Sequence, residues 1–306
     1  MPRSLTLKTL NTMAKFTGVL RKMDGSLGDL TFRKVNGQTV VSEKVVKPTN
    51  PQTTKQMYRR AQFLNVLAFG RLINAFNHPA FEAKPKTMSD INAFTQANLG
   101  IVPVFITKGD RLQGGCVVAP YQVTRGSLPA IVTGHGTGDV AITDISVGSM
   151  SITASTTLKA FSNAIVNNNK DWNYGDQLSV YVFTQSVNSE THVPYVDMTA
   201  AEVTLSETDE ETALRDLVGA DVISVVDGCI GAGATVNGGI VYIHSRKAAN
   251  GKTLVSTQNV LCSNSILPNY QSWAQAQVSM ESLGWKAQTE PFLTPNIDDN
   301  VMPVTP

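Results

Sequence analysis

The sequence predicts a mainly β, α+β chain, with an N-terminal β-hairpin and long helix followed by an immunoglobulin-like β-sandwich region. Three observations predict it. Asn36-Gly37 lies between two β-rich runs, and both central residues of a tight hairpin turn need positive φ, which this dipeptide supplies. From residue 51 the apolar spacing becomes three to four residues, the helical period. Beyond Gly100 the period becomes two, in short runs parted by Gly-, Asn-, Ser- and Asp-rich stretches such as GHGTGD and NNNKDWNYGD.

Taken in order, residues 1–15 are polar and read as an arm. Phe16–Met23 reads as a strand, Asp24-Gly25-Ser26 as a turn, and Gly28–Val35 and Gln38–Val46 as the two arms of the hairpin. Leu30, Phe32 and Lys34 share one face of the first arm, and Thr31, Arg33 and Val35 the other. A helix is expected over roughly residues 51–77, capped by Asn50 with Pro51 behind it, or by Thr53. Its first turns are basic. Its second half is apolar nearly all round, with Phe63, Leu64, Val66, Leu67, Phe69, Ile73 and Phe76, so it must be buried in its own core or by a partner. Ser89 and Asp90 open a second helix that stops near Gly100. Strands follow at Val102–Thr107, Cys116–Thr124, Val140–Val147, Gln177–Ser186 and Val193–Leu205, with Thr157–Val166 either a helical crossover or another strand. The acidic run 206–217 is a loop with a short helix. Asp221–Gly228, Gly239–Lys247 and Thr253–Cys262 are strands, Asn250-Gly251 is a second hairpin signal, and Tyr270–Leu283 is helical. The expected organisation is an arm and hairpin (1–50), a helical segment (51–119), the sandwich (120–206), a second β region with a terminal helix (207–286) and an extended, proline-bearing tail (287–306).

The chain has 306 residues, 42% of them hydrophobic and 16% charged, the composition of a globular protein rather than a disordered one. No apolar run reaches membrane-spanning length, and the N-terminus lacks the apolar core of a secretory signal, so synthesis in the cytoplasm is expected. Cys116, Cys229 and Cys262 are too few and too scattered for a disulfide framework. The four histidines show no zinc spacing. Gly251-Lys252-Thr253 is no phosphate loop, because Arg246 stands where the first glycine belongs and the flanks are strands. No nucleophile motif occurs, and the paired carboxylates lie only in the acidic run and at Asp298-Asp299. The sequence thus points to a chain that is not an enzyme and needs no cofactor or metal.

The net charge of +1 hides an asymmetry. Residues 1–130 carry 18 Lys/Arg against 6 Asp/Glu, a balance of +12; residues 131–306 carry 7 against 18, a balance of −11. Such a dipole favours head-to-tail assembly or an anionic partner for the basic half. The basic residues concentrate in the head, from Arg21 and Lys22 through Arg33 and Lys34 to Lys55, Arg59 and Arg60, beside Phe16, Phe32 and Tyr58 as stacking residues.

Within GSLGDLTFRKVNGQTVVSEKVVKPTNPQTTKQMYRRAQF, a Gly-rich hairpin and a basic strand precede Asn50, Pro51, Thr53, Gln56 and Arg60 in an Asn-Pro-x-Thr-x-x-Gln-x-x-x-Arg helix start. Together with VTRGSLP (123–129) and the pair DQLSVYVFTQSV and VDMTAAEVTL, this stretch resembles a domain-of-unknown-function family of Bacteroidota and their phages and mobile elements. The resemblance covers roughly residues 16–205. It implies a hairpin-and-helix head on an immunoglobulin-like body in a mobile-element setting, and it carries no activity or site residues with it.

The expectation is a structural or assembly protein, most plausibly a phage virion component, that self-associates or docks on neighbouring particle subunits. Its contact surface is placed at Arg33, Lys34, Val40 and Val45 on the hairpin and at Lys55, Arg59, Arg60, Phe63 and Leu67 on the helix. Two alternatives stand beside it. The first is a nucleic-acid-binding protein using the basic head. The second is a carbohydrate- or receptor-binding module with Trp172, Tyr174, Trp273 and Trp285 as platforms. No membrane partner is expected.

Overall fold

A computed structural model describes residues 14–15, 25–35, 38–44, 53–100, 104, 106–191, 193–219, 222–232, 238–264 and 292–293. The chain is mainly β, in several sheets with few helices. It forms two compact units, residues 1–52 and 53–306.

The first unit holds a four-stranded antiparallel sheet of β1 (Ala14–Lys15), β2 (Gly25–Leu27), β3 (Leu30–Val35) and β4 (Gln38–Glu43), in the order β1-β4-β3-β2. The Asn-Gly hairpin forms as expected, with Val35 opposite Gln38 across residues 36–37. The preceding turn lies later than expected. Gly25 and Ser26 belong to β2, and the reversal falls at Gly28-Asp29, where Gly28 takes φ +58, open to glycine without strain. The strand expected at Phe16–Met23 lies outside the described residues. Phe32, Thr39 and Val41 are buried on one face, with Phe32 directly opposite Val41.

The second unit begins with α1 (Thr54–Ile73), capped by Thr53, whose hydroxyl accepts from Gln56 N; the later of the two expected caps is the one used. Next come α2 (Asp90–Asn98), capped by Ser89, then β5 (Ile106–Thr107), α3 (Lys108–Leu112), β6 (Gln122–Thr124), β7 (Thr133–His135) and β8 (Ala141–Ser146). Thr157 caps α4 (Leu158–Asn168), so the ambiguous segment is the helical crossover. The rest is β9 (Gln177–Val187), β10 (Pro194–Thr204), α5 (Leu214–Leu217), β11 (Ser224–Val226), β12 (Cys229–Gly231), β13 (Gly238–Lys247), β14 (Thr253–Val255), β15 (Gln258–Asn259), β16 (Leu261–Cys262) and β17 (Phe292–Leu293).

Three expectations change here. The run Cys116–Thr124 is a strand only at its end, because the backbone at Val117 is held by the Asn65 side chain of α1: Asn65 Oδ1 accepts from Val117 N at 2.8 Å and its amide donates to Val117 O at 3.1 Å. The boundary near residue 206 separates no units, since β9 pairs with β10 on one side and β13 on the other, in the order β10-β9-β13-β14 with β16 also on β13. The extended tail was expected to hold no regular element, yet Phe292–Leu293 pairs with β5. The helix expected at 270–283 lies outside the described residues.

The central sheet is covered on both faces. Tyr181, Phe183, Val241 and Ile243 point into one core with α1 and α2, where Phe69 packs within 4.7 Å of Phe183 and 5.2 Å of Tyr121, centroid to centroid. Gly70 lets the helices close, as a Cβ there would sit 3.1 Å from the Phe94 ring. Leu178, Val180, Ile240 and Tyr242 point the other way, into a core shared with α4 and a second sheet of order β11-β12-β8-β7, through Phe161, Ile145 and Ile230. Strand β13 starts where it passes closest to β9: Gly238 has φ +147, and a Cβ there would lie 1.9 Å from the Phe183 carbonyl oxygen, so no other residue fits.

Candidate functional site

The expected contact residues fall on both units. On the hairpin, Arg33 is exposed and stands opposite Val40. Lys34 is exposed but stands opposite Thr39, on the other face with Phe32. The hairpin set therefore does not make one surface; a period of two puts neighbours on opposite sides. Val45 lies outside the described residues. On α1, Lys55, Arg59, Arg60 and Phe63 are exposed and Leu67 is half-buried. Arg60, Phe63 and Leu67 share a stripe at helical spacing, with Arg59 and exposed Leu64 at its sides. The helix is thus not buried all round within the chain, as Phe63 and Leu64 keep 43% and 38% of their surface. Arg59 is steadied by donating to Gln62 Oε1 at 2.9 Å.

The acidic run is an ordered, exposed loop. Ser206 Oγ accepts from Thr208 N and Asp209 N, and Asp209 accepts from Glu211 N and Thr212 N. The Thr212 bonds hold the Asp209 carboxyl below its ordinary value, and Glu210 pairs with Lys159.

A second constellation was not expected from the sequence. Between β8, the end of α4 and β13 lies a cavity of about 410 Å³. One wall is apolar, with Pro129, Ile131, Ile145 and Trp172. The others carry Asp144, Asp171, Lys170 and His244. The loop after α4 is anchored by Asn169, which accepts from Ser146 N at 3.0 Å and donates to Ser146 O at 2.7 Å. This places Trp172 flat against His244, with ring centroids 3.9 Å apart and planes 15° from parallel. Trp172 is therefore buried and is not the exposed platform expected of it; Tyr174 remains partly exposed and donates to Asn163.

His244 is held from behind. Its Nε2 lies 2.8 Å from Asp176 Oδ2, and Arg246 grips the same carboxylate with Nε at 2.7 Å from Oδ1 and Nη2 at 2.7 Å from Oδ2. Burial would raise the Asp176 carboxyl, but the bonds from Arg246, then His244 and Asn173 N, outweigh it and hold it at about 2. Asp176 accepts from Nε2, which leaves Nδ1 as the ring nitrogen not used by the carboxylate. Among the described residues no Ser, Thr or Cys side chain hydrogen-bonds the ring. His244 and Arg246 are two apart on a predicted strand, so their shared face was legible; their link to Asp176, 68 and 70 residues away, was not.

A third cluster is closed on itself. Glu202 accepts from Tyr181 Oη at 2.8 Å, Gln177 Nε2 at 2.9 Å and Asn77 Nδ2 at 2.5 Å, and burial pushes the nearby His78 below the usual imidazole range. No group of three His, Cys, Asp or Glu among the described residues is placed to hold a metal ion. No helix among them is long and apolar enough to cross a membrane. Compared with protein-family models, with curated proteins and with solved structures, the chain has no significant match.

Proposed function

We propose that this chain is a structural, assembling protein that packs against copies of itself, in its fullest form as a component of a phage particle with an immunoglobulin-like sandwich as its body. The observation that carries the reading is the outer face of α1. Phe63 and Leu64 are exposed in the middle of a helix whose opposite face is fully buried, and they are rimmed by Arg59 and Arg60. An apolar pair inside a basic rim is the makeup of an interface core with a charged border. Its complement on a second copy is the exposed acidic loop at Glu207–Glu211. A contact between two different surfaces of the same chain repeats head to tail and builds rings or filaments. The separate N-terminal sheet adds a second contact, because β2 is an edge strand among the described residues and Leu27 and Leu30 are exposed at its turn.

The test is mass by light scattering across protein concentration, at low and high salt, with and without DNA. The expected result is a defined oligomer that weakens as salt rises and reverts to monomer in the double variant Phe63→Glu/Leu64→Glu. A monomer under every condition would overturn the reading. A monomer that shifts only when DNA is added would replace it with nucleic-acid binding through the same basic residues.

A further inference from the structure

We propose that the cavity at His244 is a binding site for a small neutral hydroxylated ligand, of the sugar or polyol class. This goes beyond the assembly reading and does not depend on it, since the cavity belongs to the body of one chain and shares no residue with the outer face of α1.

The site is built rather than incidental. A buried imidazole is costly unless its polar atoms are satisfied. His244 is 1% exposed, and its Nε2 is satisfied by Asp176, yet it lines the cavity and its Nδ1 has no hydrogen-bond partner among the described residues. The ring cannot swing away to find one, because Trp172 stacks on its face and Arg246 locks the carboxylate that holds it. The ring is thus held in one orientation at the cavity wall by two layers of support, the arrangement that gives a site its precision.

The lining selects the ligand class. Arg246 is consumed by Asp176, which leaves exposed Lys170 as the cation at the rim; an anionic ligand therefore meets no paired guanidinium to receive it. Acceptors dominate the polar walls. His244 offers Nδ1. Asp171, near Arg246, offers a carboxylate with no side-chain hydrogen bond among the described residues, and Asp144 accepts from Val132 N with one oxygen. Such walls require donors from the ligand, and hydroxyl groups supply donors without bringing a charge that would have to be desolvated. The apolar wall of Pro129, Ile131 and Ile145 suits the C–H face of a sugar ring. The volume, about 410 Å³, lies in the range of small-ligand pockets.

The experiment titrates the full chain with glucose, galactose, mannose, N-acetylglucosamine, their common disaccharides and glycerol, with inorganic phosphate and tetramethylammonium as counter-probes. Binding is read by calorimetry and by the indole N–H signal of Trp172, identified with Trp172→Phe. Two variants frame it. Ala130→Trp fills the mouth from an exposed position on the cavity wall, and His244→Asn removes the fixed ring; both are checked by thermal melting. Saturable binding of at least one neutral member that moves the Trp172 signal, is lost in Ala130→Trp and weakens about tenfold in His244→Asn supports the site. No binding across the neutral panel, or binding that survives Ala130→Trp, overturns it. Stronger binding of phosphate or tetramethylammonium than of any neutral member overturns the ligand class.

Discussion

The N-terminal sheet and the central sheet of the body are both antiparallel, and they are stabilised in opposite ways. In the first, six-residue strands bury one stripe, Phe32, Val41 and Thr39, and leave Arg33 and the strand β2 exposed. In the second, β13 runs through eight successive buried residues, Gly238–Ser245, because α1 and α2 cover one face and α4 with the second sheet covers the other. A one-faced sheet can place its polar groups in water. A two-faced sheet cannot, so a polar group it carries is either paired inside, as His244 is, or left without a hydrogen bond among the described residues, as the buried Tyr242 hydroxyl is. That is why β13 ends in a buried His244 tied to Asp176 and Arg246, whereas β3 carries its cations on the outside. Polar chemistry in this molecule concentrates where a continuous apolar strand meets its first unavoidable polar side chain.

The largest effect should come from breaking that pairing. Asp176→Ala leaves Arg246 and the His244 ring facing an empty acceptor position and should cost the body about 3–5 kcal/mol in denaturant unfolding. A loss below about 1 kcal/mol would show that water replaces the carboxylate and that the two sheets are less different than their burial suggests.

The same network sets an acid limit. Asp176 is held at about 2, below its ordinary 3.8, so the folded state binds the proton less readily than the unfolded state. The stability that this provides is complete above about pH 4 and is lost as the pH falls towards 2, amounting to about 2 kcal/mol. Unfolding of the parent and Asp176→Asn at pH 6 and pH 3 reads it directly: the gap between them should narrow at pH 3. A constant gap would place the acid sensitivity elsewhere.

The smallest effect on the body should come from the other sheet. Phe32→Ala removes the largest buried side chain among the described residues of the N-terminal unit and should abolish amide protection over β3 and β4 while the unfolding free energy of the body changes by less than about 0.5 kcal/mol. A matching loss in both would show that the two units fold as one.

By itself the sequence determined the local elements. Thr53, as one of two candidate caps, and Ser89 announced two helices because a side-chain oxygen caps the helix that begins beside it, and Asn36-Gly37 and Asn250-Gly251 announced two hairpins because the turn chemistry is contained in two residues, whereas the segment after Thr157 stood open between helix and strand. The period of two located β8, β9, β10 and β13 within a residue or two. The exposed Arg59, Arg60 and Phe63 of α1 were legible as well, since helical phase alone sets them side by side. Only the tertiary structure decided the rest. That β9 lies between β10 and β13 dissolved the boundary expected near residue 206, and that Asn65 fastens Val117 ended a strand the alternation would have drawn. Trp172 looked like a surface ring in a turn-rich stretch until the fold set it against His244. These decisions rest on contacts between residues 50 to 70 positions apart, whose energies depend on which faces meet in space; no spacing along the chain encodes that meeting.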